Sequence, residues 1–176
     1  GARCTRECTF CSVDKQKPFP PDCTEPERIA RICRELELKH VVLTSPTRDD
    51  LPDGGSRQYV ETVEYIKKYL PEATVEVLIP DFQGKIDCID RVCRSSVTVI
   101  GHNIETVPRM YPEVRKGAEY TRSLGVLRYI KNKYPKLLTK SGIMLGLGES
   151  NLEVKAVIGD LDAVFCDFLT LGQYLP

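Results

Sequence analysis

Short apolar runs alternate with amphipathic helical patterns along most of the 176-residue chain. The runs are rich in β-branched residues and nearly continuous in apolar character, which is typical of parallel strands covered on both faces. Five runs are predicted as strands, at residues 40–43, 74–79, 96–100, 141–145 and 167–171. Their alternation with helices predicts parallel βα units joined by right-handed crossovers, and therefore an α/β fold.

Five amphipathic helices are predicted, from Thr24 onward, at about 56–69, at about 85–94, after Ala118, and from Ser150 to about Leu161. The segments Thr24–Glu27 and Ser150–Glu153 both have the spacing of a capping box, in which a hydroxyl and a glutamate bind each other's backbone amides. The spacing of three and four residues predicts a buried face of the first helix that comprises Ile29, Ile32, Cys33 and Leu36.

The pattern alone leaves two architectures open, a doubly wound sheet and a partial (β/α) barrel. Polar residues gathered after each strand favour the barrel, where loops at the carboxyl ends of the strands build one shared site. A sixth strand is expected before Cys4, but only Gly1, Ala2 and Arg3 precede it. We therefore expect a barrel whose first strand is truncated, in one domain over residues 1–176.

The charge balance and the chain start limit the classes of partner. Twenty-five basic side chains balance 25 acidic ones, so no net field predicts binding to nucleic acid or to a membrane surface. No apolar run approaches the ~20 residues needed to span a bilayer. The chain starts at Gly1 without a signal-like segment, and we expect it to be a fragment of a longer protein.

Three of the eight cysteines lie close together, as Cys4-x3-Cys8-x2-Cys11. Three thiolates on one loop can each bind one iron of a [4Fe–4S] cluster and leave the fourth iron open. That open iron can bind the amino and carboxylate groups of S-adenosylmethionine (SAM), which a reduced cluster cleaves to a 5′-deoxyadenosyl radical. The alternative is a zinc site, which usually needs a fourth Cys or His; the two histidines, His40 and His102, are isolated.

The other five cysteines are predicted to be core or incidental residues, because free cysteine is commonly a small buried hydrophobe. They are Cys23, Cys33, Cys88, Cys93 and Cys166. Their scatter differs from that of a secreted, disulfide-bonded domain. We therefore expect a reduced, cytoplasmic protein, or a mitochondrial one in a eukaryote.

Polar or glycine-rich motifs follow two of the predicted strands, at residues 44–55 and 102–106, and a third, at 142–149, ends a strand and meets the start of a helix. The first could hold the amino and carboxylate groups of a small zwitterion, the second could bind ribose hydroxyls, and the glycines of the third would let a flat adenine approach the backbone. Ordinary polar loops and strand–helix turns would look similar.

Six segments closely resemble lipoyl synthase of the radical SAM superfamily in matching order and spacing. They are residues 4–13, 43–55 (LTSPTRDDLPDGG), 77–84 (VLIPDFQG), 102–107 (HNIETV), 139–149 (TKSGIMLGLGE) and 169–175 (LTLGQYL). The resemblance implies a partial (β/α)6 barrel. It also implies the insertion of two sulfur atoms at C6 and C8 of an octanoyl-lysine, with two SAM molecules consumed.

The resemblance implies that Cys4, Cys8 and Cys11 bind the SAM cluster and that the backbone of Phe10 lies against adenine. The further candidates for SAM or substrate contacts are Ser45, Arg48, Asn103, Glu105, Arg115, Gly142, Gly146 and Glu149. For Arg115, the alternative is a surface arginine. The implied partners are an octanoylated lipoyl domain or H-protein, a ferredoxin or flavodoxin reductant, and an iron–sulfur carrier protein.

Lipoyl synthases also carry an auxiliary [4Fe–4S] cluster as the sulfur source. Its cysteines lie upstream of the SAM motif as C-x4-C-x5-C, and a serine near the C-terminus completes it; neither is within this sequence. We expect this second cluster in the full-length protein. The alternatives are another radical SAM enzyme, a SAM- or iron–sulfur-binding homologue without sulfur insertion, and a zinc-stabilised domain.

Overall fold

A computed structural model describes residues 1–175 as strands alternating with helices. The strands are β1 (His40–Thr44), β2 (Thr74–Leu78), β3 (Val99–Gly101), β4 (Leu138–Leu145) and β5 (Phe168–Gln173). The helices are α1 (Glu25–Glu35), α2 (Ser56–Tyr69), α3 (Ile86–Cys93), α4 (Tyr111–Val114), α5 (Tyr120–Lys133) and α6 (Asn151–Ala163). The order of the five predicted strands and five predicted helices is confirmed, but the third strand covers Val99–Gly101 and not 96–100, and the short α4 was not predicted.

The sheet settles which α/β architecture the chain adopts. Its order is β1-β2-β3-β4-β5, and every neighbouring pair is parallel. A doubly wound sheet reverses its strand order at a switch point, whereas sequential order with crossovers of one hand places the helices on one face. The partial barrel is therefore confirmed.

Two buried clusters hold the helices to the sheet and to the loops at its carboxyl edge. In the first, Val41, Val75 and Val77 of the strands pack against helix residues such as Val63 and Ile66. The second cluster lies under the loop after β3 and joins α4, α5, β4 and α6; it includes Ile104, Tyr111, Val114, Leu127, Ile143 and Val157. The second cluster thus supports the backbone that carries the polar residues after β3.

The opposite face of the strands lines the inside of the partial barrel. Val42 is 54% exposed, whereas its neighbour Val41 is buried against the helices, as the period of two in a strand requires. Glu76 of β2 and Lys140 of β4 also point inward, and their side chains form an ion pair of 2.8 Å across β3.

The predicted buried face of α1 is wrong for two of its four residues. Cys33 is buried and Ile29 packs partly against the core, but Ile32 is 55% and Leu36 64% exposed. The buried stripe is instead Pro26, Ala30 and Cys33, at offsets of four and three. These small side chains let α1 lie close to α2, and this turns the larger apolar residues outward.

One of the two predicted capping boxes is confirmed and the other is wrong. The Ser150 hydroxyl accepts a hydrogen bond from Glu153 N–H at 3.3 Å, and the Glu153 carboxylate accepts one from Ser150 N–H at 2.8 Å. Thr24 has helical backbone angles, so its hydroxyl does not cap the helix. The hydroxyl donates to the Asp22 carboxylate at 2.7 Å instead.

The prediction that Cys33, Cys88 and Cys93 are core residues is confirmed, since all three are buried. Cys23 is exposed and Cys166 is half-buried. Among residues 1–175, no helix is both long enough and apolar enough to cross a membrane.

The packing of α1 and α2 predicts different effects for two isoleucines. Ile66→Ala should lower the free energy of unfolding by about 2–5 kcal/mol, because it leaves a cavity in the core. Ile32→Ala should change it by about 0.5 kcal/mol or less, because the side chain is mostly exposed in this chain. Urea unfolding followed by circular dichroism measures both, and equal losses would contradict the placement of α1.

Candidate active site

A cavity of about 410 Å³ lies at the carboxyl edge of the sheet, between the loops after β1, β2 and β3 and the N-terminal cysteine loop. Its volume is within the range of ligand pockets. Eight of the predicted site residues line it: Cys4, Cys8, Phe10, Cys11, Ser45, Asn103, Glu105 and Arg115. A larger surface cavity of about 750 Å³, beside Arg57, Glu61 and Arg91, contains none of the predicted site residues.

The cysteine loop, residues 4–11, is irregular, and backbone hydrogen bonds fasten it at three places. Cys4 N–H donates to Asp14 O at 2.9 Å, Thr5 N–H to Thr47 O at 3.0 Å, and Thr9 N–H to Val114 O at 3.0 Å. The last two carbonyls belong to the loop after β1 and to the end of α4. The loop is therefore tied to the elements that follow two different strands.

The three thiols have surroundings that suit a cationic cluster. All three are half-buried, and Arg6 N–H donates to Cys4 Sγ at 3.4 Å. Burial raises the pKa of the Cys8 thiol; Arg115 opposes this rise, while Cys4 and Cys11 add to it. An iron–sulfur cluster would offset this repulsion, because bound metal favours the thiolate.

A cluster and a single zinc ion need different ligand arrangements. In the described part of the chain, no three His, Cys, Asp or Glu side chains are placed to hold one metal ion. Zinc needs four ligands around one centre, whereas a cubane cluster takes each thiolate on a different iron. Of the residues that the structure describes, the cysteines that line the cavity are Cys4, Cys8 and Cys11.

The loop after β3 carries Asn103 and Glu105. It pairs with β4 through an isolated parallel bridge between Glu105 and Ile143. Glu105 N–H donates to Gly142 O and Glu105 O accepts from Met144 N–H, both at 2.9 Å. The Glu105 backbone has a positive φ of 67°. Burial raises the pKa of its carboxyl, while the Arg115 cation and the Asn103 side chain lower it.

Arg115 is a buried cation, so the prediction of a binding residue is favoured over that of a surface arginine. Its Nη1 donates to Tyr111 Oη at 2.9 Å and to Ser123 Oγ at 3.0 Å. Within residues 1–175 it has no carboxylate within 4.0 Å. A guanidinium held by neutral hydroxyls keeps its charge and the rest of its donors for a ligand carboxylate.

Ser45 and Arg48 are both on the loop after β1 but have different surroundings. Ser45 is exposed at the cavity, and its hydroxyl donates to Pro46 O at 3.1 Å. Arg48 lies outside the cavity and donates twice to Asp50, at 2.8 Å for each bond. Its role in SAM or substrate binding stays a prediction.

Gly142, Gly146 and Glu149 do not line the cavity either. A Cβ on Gly142 would lie 3.0 Å from the Asn103 amide oxygen, so this glycine lets Asn103 lie against β4. Gly146 has a φ of 98°, and the Glu149 carboxylate accepts from Gly146 N–H at 2.6 Å and Leu147 N–H at 2.9 Å. The structure thus shows these three residues shaping the β4–α6 loop, and their contact with SAM stays a prediction.

Sequence reasoning did not select Arg6, Asp49, Asp81 or His102. Arg6 and Asp81 are buried and ion-paired at 2.5 Å, and Arg6 also pairs with Asp49 at 2.8 Å. His102 is fully buried with Nδ1 2.9 Å from Ile79 O. The position of Arg6 between two ligand cysteines was the available signal, but the pairing itself needs the tertiary structure.

A sequence model of the radical SAM superfamily matches residues 1–161. The chain belongs to this superfamily. The predicted cofactors of the main site, a [4Fe–4S] cluster and SAM, are those of radical SAM proteins. The five-stranded partial barrel is the scaffold on which this family member places its three cysteines.

The resemblance of this radical SAM chain to lipoyl synthase is confirmed at the level of sequence. It is 57% identical over 175 residues to the lipoyl synthase of Geobacter metallireducens, with 99% of this chain and 62% of the relative covered. It is 54% identical to that of Geobacter sulfurreducens, with 99% and 57% covered. The chain thus spans about three fifths of the length of these curated relatives.

Solved structures of other proteins show the same fold. Methylornithine synthase (PylB) superposes with a TM-score of 0.78 at 15% identity, covering 99% of this chain and 51% of that one. Streptococcus suis SuiB bound to S-adenosylmethionine has a TM-score of 0.77 at 13% identity, covering 99% and 39%. At these identities the similarity concerns the fold alone.

The buried His102 predicts a loss of stability on mild acidification. Burial, with the Arg115 cation, lowers its pKa to about 3, from 6.5 when exposed. Below pH 6.5 the unfolded chain binds a proton that the folded chain does not, so stability falls as pH decreases from 6.5 toward 3. We expect about 1.4 kcal/mol lost at pH 5.5 from this group.

Urea unfolding at pH 7.5, 6.5 and 5.5 measures this loss. His102→Asn, whose amide can replace Nδ1–H toward Ile79 O, should remove that part of the pH dependence, and His40→Asn should keep it because His40 is exposed. An unchanged pH dependence in His102→Asn would contradict the assignment.

Proposed function

We propose that this chain is the radical SAM core of a lipoyl synthase. In this proposal Cys4, Cys8 and Cys11 bind the [4Fe–4S] cluster, and SAM binds in the 410 Å³ cavity. The observation that carries the proposal is that the three thiols share one cavity with Asn103, Glu105, Arg115 and Phe10. Identity of 50–57% to several lipoyl synthases over at least 99% of the chain supports the specific reaction.

The cavity side chains match the chemical groups of SAM. When bound, the reduced cluster supplies the electron that cleaves SAM to a 5′-deoxyadenosyl radical, which abstracts hydrogen from an unactivated carbon. Arg115 is available to bind a carboxylate, and Glu105 is available to accept from an ammonium group. Asn103 can hydrogen-bond ribose hydroxyls, and Phe10 supplies apolar surface and backbone for the adenine.

The chain's own thiols must be deprotonated to bind iron, and at Cys8 burial acts against this form. The Arg6 amide donates to Cys4 Sγ, and the Arg115 cation lies near enough to Cys8 to lower its pKa against the effect of burial. At Cys8 the cation favours the thiolate and offsets part of the effect of burial.

The substrate and partners are part of the same proposal. The full-length protein would insert two sulfur atoms at C6 and C8 of an octanoyl-lysine on a lipoyl domain or H-protein. It would take electrons from ferredoxin or flavodoxin, and sulfur from an auxiliary cluster supplied by an iron–sulfur carrier. The eight free cysteines support a reducing compartment, the cytoplasm. The single domain over 1–176 stays a prediction.

The alternative is another radical SAM activity, or a homologue that binds SAM and the cluster without inserting sulfur. The solved structures support this alternative in one respect, since proteins with other names share the fold. The full-length sequence and a product assay distinguish them: lipoyl synthase needs the auxiliary cysteines and forms lipoyl-lysine, whereas the homologue would form at most 5′-deoxyadenosine.

Cluster assembly tests the ligand assignment. Anaerobic reconstitution with iron and sulfide should give about four irons per chain, and Cys4→Ala, Cys8→Ala or Cys11→Ala should each abolish most of this loading. Cys23→Ala is the matched control, because Cys23 is exposed and outside the cavity. Iron analysis and electron paramagnetic resonance of the reduced protein measure the result; wild-type loading in the triple cysteine variant would overturn the proposal.

SAM binding tests the cavity. Glu105→Gln keeps the shape of the side chain but removes its charge, so we expect the Kd for SAM of the cluster-loaded protein to rise about tenfold or more. Glu61→Gln is the control, because Glu61 pairs with Arg57 at 2.7 Å on the outer side of α2, away from this cavity. Equilibrium dialysis measures both Kd values, and equal values for the two variants would place SAM elsewhere.

A further inference from the structure

Arg6 lies between two of the proposed cluster ligands, Cys4 and Cys8, yet only 6% of its side chain is exposed. A charged side chain is rarely buried unless it is paired. Arg6 therefore has a defined task inside the protein rather than at its surface.

The Arg6 guanidinium joins two carboxylates from different loops. Its Nε and Nη2 donate to the two Asp49 oxygens at 2.8 and 3.1 Å, in the bidentate geometry that is strongest for arginine. Its Nη2 also donates to Asp81 Oδ1 at 2.5 Å. Asp49 follows β1 and Asp81 follows β2, so one side chain connects the cysteine loop to two strand ends.

Asp81 extends this network to helix α5. It is fully buried, and its Oδ2 accepts from Arg122 Nε at 2.7 Å while Oδ1 accepts from Gln83 N–H at 3.0 Å. Burial alone would raise the pKa of Asp81, but Arg6, Gln83 N–H and Arg122 lower it well below its usual value. Arg6 and Arg122 thus share the buried Asp81 carboxylate, which stays ionised at neutral pH. Arg122 also pairs with the exposed Glu119 carboxylate at 2.8 Å.

The rest of the cysteine loop has few other contacts that fix its shape. Residues 4–11 form no helix or strand. Their backbone is hydrogen-bonded to other segments mainly through Cys4, Thr5 and Thr9. The Thr5 hydroxyl adds a bond to the loop after β1, since it accepts from Asp49 N–H at 3.0 Å. Asp49 therefore holds the loop through both its backbone and its side chain.

We propose that Arg6 is a positioning residue that, with Asp49 and Asp81, holds the cysteine loop in its ligand-presenting shape before any iron is bound. An unfolded chain rarely contains a preformed metal site, so part of the free energy of metal binding is used to order the ligands. Here the ion pairs of Arg6 order the ligand loop instead. The positioning of the loop by Arg6 does not depend on the proposed function. That the positioned residues are cluster ligands rests on the proposed function.

Hydrogen–deuterium exchange of the iron-free protein tests this inference. After chelation, peptides that cover residues 4–11 should be protected in the wild type and exchange about tenfold faster or more in Arg6→Gln. Arg6→Lys keeps the charge but not the bidentate geometry, so it should restore part of the protection. Arg57→Gln, which breaks only the exposed pair with Glu61, should leave the loop unchanged.

Peptides of β2 and β3 report whether the effect is local. If Arg6→Gln unfolds the whole chain, the variant Asp49→Asn tests the inference instead. Asp49 is partly exposed, and removing its charge leaves Asp81 paired with Arg6 and Arg122. Faster exchange confined to the cysteine loop in that variant supports the inference. A wild-type loop that exchanges as fast as an unstructured peptide overturns it, and so does an Asp49→Asn loop as protected as the wild type.

Iron uptake separates this inference from the proposed function. A protected loop in a wild-type protein that takes up no iron would refute the proposed ligands and leave the positioning role of Arg6 standing. An unprotected loop in a wild-type protein that loads its cluster would refute the positioning role alone.

Discussion

Parallel pairing in sequential order is the constraint on which the rest of this structure depends. Because every strand runs in the same direction, the carboxyl ends of β1, β2, β3 and β4 lie at one edge of the sheet. The loops after β1, β2 and β3 line one cavity with the cysteine loop, although their residues are separated by up to a hundred positions in the chain. No single loop forms the site.

Buried charge organises that edge. This edge contains the buried side chains of Arg6, Asp81 and Arg115 and the half-buried carboxyl of Glu105. An unpaired charge in such a place is costly. These charges are stabilised in two ways, by ion pairs and by hydrogen bonds to hydroxyls. Arg6 and Asp81 pair with each other in a network that also includes Asp49 and Arg122, whereas the Arg115 cation is held by hydroxyls. That difference separates a residue that fixes the loop from one that is available to a ligand.

The Arg115 cation also acts at a distance on its neighbours. It opposes the burial that raises the pKa of Cys8 and of Glu105, and it helps to keep His102 neutral. One buried arginine therefore favours the ionised form of the two groups that the proposed function needs as anions. Proteins with other names share the fold, so under the proposed function these side chains, and not the fold, would make the reaction specific.

The sequence by itself determined the α/β class, the five strands, the five longer helices and the cysteine motif, because these depend on local periodicity and spacing. The family resemblance also selected twelve site residues, of which eight line the cavity. It was wrong on α1, where Ile32 and Leu36 are exposed, because an amphipathic pattern does not say which neighbour the helix approaches. Only the tertiary structure decided between barrel and doubly wound sheet, placed Arg48 outside the cavity, and joined Arg6 to Asp49 and Asp81, since these depend on contacts between residues distant in the chain.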